Sequence, residues 1–355
     1  TDTGGSSITS YHVQDSTGAH SASGSSSPVT VTGLTNGTSY TFNVWAINSF
    51  GYSAPSDATG SVTPNVIPYA IFAGDDGGER TTMDYVTITT LGNAADFGDL
   101  ATGQELPRGA SSSTRGLFFG GHDGSNFSNV IQYITPASTG NATDFGDMTQ
   151  DGMPCGAGNN DTRAVAGGRH RGASGQTNVI DYVTIASTGN ATDFGDRTVT
   201  AGSGFGFSST TRTCFGMGYA GSAGGINNID YITTASTGNA TDFGDAVNGY
   251  EPAGASNNTR GIICQRLRNG TRYSNIYYIT IASTGNVSTF GNLSANTSGG
   301  AAATSSTRFV TAYGNNNGSI EYVEIATTGN ATDFGDLSTT RDGLGGLSPT
   351  NGGLS

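Results

Sequence analysis

Short apolar segments alternate with glycine-rich polar segments along most of the chain. Six times, an apolar segment closes on a tyrosine, and twelve residues later a phenylalanine lies in an acidic segment. The pairs are Tyr85 and Phe97, Tyr133 and Phe145, Tyr182 and Phe194, Tyr231 and Phe243, Tyr278 and Phe290, and Tyr322 and Phe334. Successive tyrosines are 48, 49, 49, 47 and 44 positions apart. This period indicates that one unit of about fifty residues is repeated six times.

The apolar positions within a repeat predict strands that are covered on both faces. In the third repeat, Ile180 and Tyr182 share one face of a strand. Val179 and Val183 share the other face. Such sheets are packed between two neighbours, as the blades of a β-propeller are. Each repeat has four strand-sized segments, and residues 68–355 accommodate six repeats of about 48 residues. We therefore expect a six-bladed β-propeller of four-stranded blades.

The two ends of the repeat region are incomplete in complementary ways. The first repeat begins abruptly at Tyr69, without the Thr-Arg pair that precedes this strand elsewhere. The sixth repeat continues to Gly353, where a further repeat would start. We expect the two ends to meet within one blade, because this closure removes exposed sheet edges that would recruit other chains.

Residues 1–64 contain no copy of the repeat. Apolar and polar residues alternate through residues 34–56, and this segment ends in a Gly/Ser/Pro turn, which predicts a half-buried sandwich strand. The segment resembles the last strands of a fibronectin type III domain. Tyr40, which follows a leucine and an Asn-Gly turn, takes the place of the tyrosine corner of that family. Residues 48–56 resemble its exit turn.

The front of this domain departs from the family pattern. Residues 4–13 resemble the loop into the third strand, which leaves no room for the first two strands or their core tryptophan. Because half a sandwich leaves an apolar face uncovered, we expect the native polypeptide to extend further toward the N-terminus. Pro64 and Pro68 bracket a short stiff linker. The predicted domains are a partial fibronectin type III domain at 1–64 and the propeller at 65–355.

Composition supports an all-β protein and excludes several partners. The chain of 355 residues contains 57 glycines and only 12% charged residues, which suits short strands joined by tight turns. It contains no apolar run long enough to cross a bilayer, so we expect no membrane insertion. The formal net charge is −13 and all 14 basic residues are arginine. Such a surface is expected to repel nucleic acid and anionic lipid.

Residues with catalytic or metal-binding chemistry form no recognisable constellation. Cys155, Cys214 and Cys264 form no CxxC pair, and the last two occupy apolar strand positions, which favours small buried side chains. No histidine has a Cys, Asp or Glu at metal-ligand spacing, and no nucleophile is paired with a base. The histidines are His12, His20, His122 and His170. We predict no catalytic residues, no resident metal and no cofactor.

Each repeat phenylalanine lies in an Asp-Phe-Gly-Asp sequence, except that the fifth repeat has Thr289 and Asn292 in place of the aspartates. Kinases use Asp-Phe-Gly to hold magnesium, but their other motifs are missing from this sequence. We expect a tight turn in which aspartates cap backbone N–H groups and glycine adopts positive φ. Calcium is an alternative, but the exchange in the fifth repeat favours capping. The turn aspartates are Asp96, Asp99, Asp144, Asp147, Asp193, Asp196, Asp242, Asp245, Asp333 and Asp336.

An arginine follows a threonine at the same phase of successive repeats, and Asn351 takes its place in the last. The arginines are Arg115, Arg163, Arg212, Arg260 and Arg308. They could form a ring of cations that binds an anionic glycan. The favoured interpretation is that each guanidinium pairs with an aspartate or a backbone carbonyl of its own or the next blade, a role that suits the arginine fork.

One repeated string carries a resemblance to a known group of proteins. It reads Tyr-x-x-x-Ala-Ser-Thr-Gly-Asn-Ala-Thr-Asp-Phe-Gly-Asp, for example at 182–196. It resembles the kelch-like repeats of virion proteins from marine tailed phages, particularly those of cyanobacteria, over residues 68–355. Eukaryotic kelch repeats carry a tryptophan, whereas the single tryptophan here, Trp45, lies outside the repeats. The fibronectin type III part is similar to surface modules of phage tails and heads that have weak carbohydrate affinity.

The resemblance and the near identity of the repeats imply a function without catalysis. Thr-Gly-Asn-Ala-Thr-Asp-Phe-Gly-Asp is identical in four repeats, and no repeat differs from the rest in the concerted way that an active site requires. We expect a non-enzymatic protein of the virion surface, which is extracellular: a fibre, appendage or capsid decoration subunit. Other virion proteins would hold its N-terminal side, and the propeller would face a host-surface glycan.

Two other functions fit the same fold. A propeller glycosidase or lyase would degrade host polysaccharide, and it needs acids that converge on one face, one of them with a raised pKa. The candidate acids fall at unrelated phases of the repeat. They are Glu79, Glu105, Glu251 and Glu321. The other alternative is a secreted bacterial adhesin.

Overall fold

The computed structural model of the protein describes residues 5–34, 38–62, 64, 67–75, 77 and 81–349. These residues form 29 β-strands and two short 3-10 helices, at Gly172–Ser174 and Gly221–Ala223, so the chain is all-β as predicted. No helix in the described part of the chain is long and apolar enough to cross a membrane. The chain divides into two compact units, residues 1–66 and 67–355.

The first unit contains a four-stranded antiparallel sheet. Its strands are β1 (Ser10–Asp15), β2 (Ser21–Gly24), β3 (Phe42–Asn48) and β4 (Gly51–Tyr52), in the order β2-β1-β3-β4. Val13 pairs with Val44 and Tyr11 with Ala46, so apolar side chains line one face. Within residues 5–34 and 38–62, no second sheet covers this face.

The predicted tyrosine corner is buried. Tyr40 is 7% exposed, and its backbone exchanges two hydrogen bonds of 2.8 Å with Val62. Its ring packs against His20 and Phe42, with centroid distances of 5.5 and 6.3 Å. These contacts hold the start of β3 against the end of the unit. The Asn-Gly turn predicted before Tyr40, at residues 36 and 37, lies outside the described residues.

The second unit consists of six antiparallel sheets, numbered here along the chain. Sheet 1 contains β5 (Tyr69–Ala73), β6 (Thr82–Thr87) and β7 (Ala95–Asp99). Sheet 2 contains β8 (Arg108–Ser111), β9 (Gly116–His122), β10 (Phe127–Ile134) and β11 (Thr143–Asp147). Sheet 3 contains β12 (Met153–Asn159), β13 (Arg163–His170), β14 (Gln176–Thr184) and β15 (Thr192–Asp196).

Sheets 4 to 6 repeat the same arrangement. Sheet 4 contains β16 (Phe205–Ser208), β17 (Arg212–Gly216), β18 (Ile226–Thr233) and β19 (Thr241–Gly249). Sheet 5 contains β20 (Ala253–Ser256), β21 (Arg260–Cys264), the short β22 (Arg266–Arg268), β23 (Thr271–Thr280) and β24 (Ser288–Thr297). Sheet 6 contains β25 (Ala301–Thr304), β26 (Arg308–Ala312), β27 (Ser319–Glu324) and β28 (Thr332–Asp336). The last strand, β29 (Gly345–Leu347), completes sheet 1 in the order β29-β5-β6-β7.

The two ends of the repeat region meet in sheet 1, as the sequence predicts. Gly345 pairs with Ala73 and Leu347 with Ile71, so β29 is the first strand of that sheet. The first strands of sheets 2 to 6 contact one another in chain order; they are β8, β12, β16, β20 and β25. The first strand of sheet 1, β29, contacts both β25 and β8. Contacts between first strands therefore pass through all six sheets and return to sheet 1.

The core lies between neighbouring sheets. The described residues form six buried apolar clusters, one for each pair of successive sheets and one for sheets 6 and 1. In the last of these, Phe72 and Val86 of sheet 1 lie with Val310 and Phe334 of sheet 6. Apolar side chains thus project from both faces of a sheet, because each face packs against a neighbouring sheet. Single sheets would expose these side chains.

The Asp-Phe-Gly-Asp sequence forms a strand and not the predicted tight turn. It occupies the fourth strand of sheets 1 to 4 and 6, namely β7, β11, β15, β19 and β28. The register against the third strand shifts beside the glycine, as in a β-bulge, which gives the glycine its positive φ. The correction applies to Asp96, Asp99, Asp144, Asp147, Asp193, Asp196, Asp242, Asp245, Asp333 and Asp336.

Candidate functional site

Because the strands of each sheet are antiparallel, the connections between them lie at two opposite ends of the sheet. At the first end, which we call the arginine end, the first strand turns into the second and the third leads to the fourth. At the second end, which we call the loop end, the second strand turns into the third and the fourth leads to the next sheet. The turn between the second and third strands differs between repeats, reading His-Asp-Gly-Ser-Asn-Phe at 122–127 and Tyr-Ala-Gly-Ser-Ala-Gly-Gly-Ile at 219–226.

The repeated arginines are half-buried at the arginine end and have partners. Each guanidinium carbon lies 4.3 to 4.7 Å from the centroid of the repeat tyrosine of its own sheet. Each Nη1 also donates to a backbone carbonyl after the third strand of the next sheet, at 2.8 to 3.0 Å. The pairs are Arg115 and Ile185, Arg163 and Ala235, Arg212 and Ile281, Arg260 and Ile325, and Arg308 and Ile88. These contacts favour a structural role over a ring of free cations.

Sheet 1 carries a tyrosine at the position of the arginine. Tyr69 begins β5 in the register in which Arg163 begins β13. Its ring meets Tyr85 edge-on, with 5.0 Å between centroids. Tyr69 thus takes the arginine's place at the start of the second strand of sheet 1. Asn351, predicted to replace the arginine in the last repeat, lies outside the described residues.

The repeat tyrosine and phenylalanine form one edge-to-face pair in every sheet. Their centroids are 5.8 to 6.0 Å apart and their planes meet at 80 to 84°. The phenylalanine is buried, and the tyrosine lies between it and the arginine. Such pairs contribute about 0.5 to 1.5 kcal/mol beyond burial, so these residues stabilise the sheets.

The asparagine of each Thr-Gly-Asn connection, or of Leu-Gly-Asn in the first repeat, joins its sheet to the preceding one. Its Oδ1 accepts the N–H of the last residue of the Asp-Phe-Gly-Asp strand, or of Asn292, at 2.9 to 3.1 Å. The acceptors are Asn93, Asn141, Asn190, Asn239, Asn286 and Asn330. The bond from Asp336 to Asn93 links sheet 6 to sheet 1. Among the described residues, no group of three His, Cys, Asp or Glu side chains is arranged to hold a metal ion.

Two of the expected aspartate caps are present within the strands. The carboxylates of Asp96 and Asp193 accept the N–H of the glycine two residues on, at 3.2 and 3.1 Å. Both aspartates are exposed at the outer edge of their sheets. They therefore contribute acidic surface as well as a local cap.

Three further aspartates, each directly before a repeat tyrosine, are buried in ion pairs. The pairs are Asp84 with Arg341, Asp181 with Arg169, and Asp230 with Arg197, at 2.5 to 3.0 Å. Each carboxylate also accepts an N–H and a hydroxyl from a Ser or Thr after the fourth strand of the preceding sheet. Removing one partner would leave a buried charge, at a cost of about 3–5 kcal/mol. The feature of the sequence that points to these buried aspartates is an acidic residue directly before the repeat tyrosine.

The first strands surround a cavity whose lining comes from all six sheets. Near the arginine end, hydrogen bonds of 2.6 to 3.2 Å connect Ser111, Asn159, Ser208, Ser256 and Thr304 in that order. These residues are the last of their first strands. Small polar side chains thus tie the first strands together around the cavity.

Arg108 lies at the other end of the first strand β8 and lines a second cavity, which shares Gly109 and Gly206 with the first. Its Nε donates to the carbonyl of Pro154 at 3.3 Å, and its Nη2 has no hydrogen-bond partner among the described residues. Burial lowers the pKa of this guanidinium to about 10. It therefore stays protonated at neutral pH.

Five aromatic rings form a continuous line along the loop end. We call them the aromatic arc: His122, Phe127, His170, Tyr219 and Tyr250. Successive centroids are 5.0, 5.4, 5.2 and 5.5 Å apart, and the planes meet at 67 to 86°. All five side chains are half-buried. The arc passes from sheet 2 to the segment that enters sheet 5.

Polar groups of both charges flank the aromatic arc. His122 Nδ1 lies 3.9 Å from a carboxylate oxygen of Glu105, and His170 Nδ1 lies 3.0 Å from Nε2 of Gln176. Burial, followed by the charge of His122, lowers the pKa of His170. Arg171 pairs with Asp151 at 2.6 Å beside these rings.

Glu251 follows the last ring of the arc in the chain. It adopts a φ of +54°, which is strained for a residue with a side chain. Ser298 Oγ donates to its carboxylate at 3.3 Å. Burial, and then the nearby carboxylate of Asp342, raises the pKa of Glu251.

The other candidate acids lie in different surroundings. Glu321 is buried between sheets, where it accepts hydrogen bonds from Tyr313 at 2.6 Å and from the N–H of Ser294 at 3.2 Å. Glu105 bonds through its backbone to His122 at the loop end. Glu79 lies outside the described residues. Of the described candidates, Glu105 and Glu251 thus lie at the loop end, whereas Glu321 belongs to the core.

The cysteines are buried and free, as predicted. Burial raises the pKa of Cys214 and Cys264 to about 12. Because the thiolate is the nucleophile, these side chains are unreactive at neutral pH.

The aromatic arc is not predicted from the sequence. The histidines look scattered along the chain, yet His122, His170 and Tyr219 are 48 and 49 positions apart, the spacing of the repeat. An aromatic residue at the same position of three successive repeats could therefore have revealed part of the arc. Phe127 and Tyr250 come from other phases, so only the fold brings them into line.

Comparison with known proteins identifies the N-terminal unit. Residues 1–61 match the model of the fibronectin type III domain. The chain is thus an all-β protein with a fibronectin type III domain at its N-terminus. A search of curated proteins found no match to the chain.

Proposed function

We propose that residues 65–355 form a six-bladed β-propeller and that the protein is a non-enzymatic attachment protein of a virion surface. Support for the propeller comes from six sheets of like topology, an apolar cluster between each neighbouring pair, and the pairing of β29 with β5. A propeller covers both faces of every sheet and leaves only short edges exposed. Each of these features is what that architecture requires.

The observation that carries the attachment role is the contrast between the two ends of the sheets. The arginine end has the same arginine, tyrosine and asparagine contacts in nearly every sheet. The loop end has connections that differ between repeats, and there the aromatic arc lies in half-exposed positions. A constant framework with one variable face is typical of binding proteins, because loops carry recognition on a rigid scaffold.

The virion assignment rests on resemblance. The repeats over 68–355 resemble those of virion proteins from marine tailed phages. The fibronectin type III domain at 1–61 is similar to surface modules of phage tails and heads. In this proposal other virion proteins hold the N-terminal unit as part of a fibre, appendage or capsid decoration. The loop end then faces host-surface glycans outside the cell.

Binding to whole cell envelopes tests the attachment role. Fluorescently labelled protein is mixed with envelopes from a panel of bacteria that includes marine cyanobacteria, and bound label is measured after washing. The proposal predicts saturable binding to at least one envelope. Lack of binding to all of them, together with tight incorporation into a phage particle, would instead identify a purely structural decoration protein.

Glycoside cleavage is the second candidate function, and one observation favours it. Glu251 combines a raised pKa with a place beside the aromatic arc, as a general acid requires. Release of reducing sugar from host capsule by the natural protein, abolished in Glu251→Gln, would establish this activity. Binding without sugar release would leave attachment as the function.

A further inference from the structure

We propose that the aromatic arc is a binding site for an uncharged chain of sugar rings. This inference rests on the proposed attachment function and names the ligand class of its loop end. The arc consists of His122, Phe127, His170, Tyr219 and Tyr250.

The first argument is the continuity of the arc. Four ring contacts of 5.0 to 5.5 Å join residues of sheets 2, 3 and 4 and of the segment that enters sheet 5, so the rings form one extended surface and not separate spots. An extended surface suits a linear ligand that lies across several blades. The C–H faces of sugar rings stack on aromatic side chains, as ligands do in sites lined by aromatic residues.

The second argument is that the framework does not need these rings. The bridge between Glu105 and His122 in sheet 2 is equivalent to the bridge between Tyr250 and Leu267 in sheet 5, so Leu267 takes the place of His122 there. An aliphatic residue therefore fills the same position without disturbing the sheet. The fold itself therefore does not require an aromatic residue at this position in sheets 2 to 4.

The third argument concerns the polar groups along the arc. Sugars offer hydroxyl groups at the edges of each ring, and these bind to mixed donors and acceptors. Gln176, Glu105 and the pair of Arg171 with Asp151 supply both kinds within the same line of residues. A few placed polar groups on an aromatic lining give orientation and specificity.

Charge selects the class of sugar. The net charge of −13 repels nucleic acids and anionic polysaccharides. Arg171 beside the arc is already paired with Asp151, and the positive charge of Arg272 near Tyr250 is opposed there by Glu251. The site therefore suits a neutral chain. Half-exposed tyrosine and histidine rings are also compatible with such a polar ligand, because each ring keeps a polar atom for a hydrogen bond.

The histidines provide the experiment. The protein has four, of which His122 and His170 lie in the arc, while His12 and His20 lie in the first unit. Long-range 1H–15N spectra of the whole chain are recorded during titration with maltohexaose, cellohexaose and laminarihexaose. We expect the imidazole signals of His122 and His170 to move in a saturable way with at least one sugar, and those of His12 and His20 to stay in place.

Tyr219→Leu is the matched variant, because leucine already occupies the equivalent position in sheet 5. It is expected to fold normally and to weaken the sugar about tenfold, the loss expected when one aromatic contact of about 1.4 kcal/mol is removed. Tyr219→Phe should restore most of the affinity. Leu91→Ala, at a residue that is 60% exposed at the arginine end, is the control and should bind as the natural protein does.

Each other outcome overturns the inference in a recognisable way. If a sugar binds with equal affinity to Tyr219→Leu, or moves His12 and His20 instead, the arc is not the site. If none of the three sugars binds while the protein still binds cell envelopes, the ligand is not a neutral chain but the attachment function stands. If neither sugars nor envelopes bind, both proposals fail.

Discussion

At the scale of single residues, stacking on the repeat tyrosine explains the arginine better than its charge does. The arginine contacts the tyrosine ring in five sheets, and in sheet 1 the uncharged Tyr69 contacts Tyr85 from the same position. A carbonyl of the next sheet is the second partner of each arginine. Arginine makes both contacts because its planar guanidinium can stack on the ring and donate a hydrogen bond to the carbonyl at the same time.

Arg212→Ala should reduce the free energy of unfolding by about 2 kcal/mol, because it removes a cation–π contact and two hydrogen bonds. In the natural protein the guanidinium lies 4.4 Å from the ring centroid of Tyr231 and donates to the carbonyls of Ile281 and Ala282, both at 3.0 Å. Urea unfolding measures the change. The exposed Arg268 provides the control variant Arg268→Ala, which should leave stability unchanged. Unchanged stability in Arg212→Ala, with loss of binding to an anionic glycan, would instead support the ring of cations.

Glu251 should make stability depend on pH. Its pKa is raised in the folded protein, so its contribution is fully present below the ordinary value of 4.5 and is lost as the pH rises through the folded pKa. Glu251→Gln removes this loss, and its melting temperature should exceed that of the natural protein at pH 8 but not at pH 4. Calorimetry from pH 4 to pH 8 measures the difference.

The exposed Asp144 supplies the matched control for this series. Asp144→Asn should show no such divergence between pH 4 and pH 8. A difference between Glu251→Gln and the natural protein that is constant over this range would contradict the assigned environment of Glu251.

At the scale of elements, the fourth strand shows why the turn prediction was wrong. Asp and Gly are turn residues in isolation, and the sequence offers them in every repeat but the fifth as Asp-Phe-Gly-Asp. In the fold, Phe194 packs in the core, and the carbonyls of Phe194 and Asp196 accept N–H groups of Gly238 and Ala240 from the next repeat. These long-range bonds extend the segment as a strand. Pairing with other strands therefore overrides the local turn preference of Asp and Gly, just as tertiary context often overrides strand propensity.

Gly195→Ala should disrupt this element. Gly195 has a φ of +143°, and an added Cβ would lie 2.6 Å from the backbone of Gly238 in the neighbouring repeat. Gly189 has a similar φ of +152°, but an added Cβ there would meet no atom within 4 Å. Gly189→Ala should therefore cost about 1–2 kcal/mol from backbone strain, and Gly195→Ala clearly more. Chemical denaturation compares the two variants, and equal losses would show that the contact between repeats is absent.

At the scale of the whole molecule, the sequence predicts the framework well and the loop end poorly. The period, the apolar residues on both faces and the complementary ends follow from repetition, which one sequence displays directly. The pairing of β29 with β5 agrees with them. The aromatic arc could not be read in full, because Phe127 and Tyr250 reach it from different phases of the repeat. The buried aspartates stand at one phase of the repeat, but their arginine partners come from unrelated positions, so the ion pairs could not be predicted from the sequence.

Closure is the feature on which the proposed architecture depends. Several links join sheet 6 to sheet 1, among them the apolar cluster with Phe72 and Val310, the bond from Arg308 to the carbonyl of Ile88, and the bond from Asp336 to Asn93. The last strand adds a further link within sheet 1. Together they give the variable loop end a rigid support.

A crystal structure of the whole chain tests this claim most directly. We expect six sheets around one axis, with Gly346 of the last strand paired to Phe72 and the aromatic arc along one end. An open row of sheets with β5 unpaired, or a different number of sheets around the axis, would contradict the closed architecture.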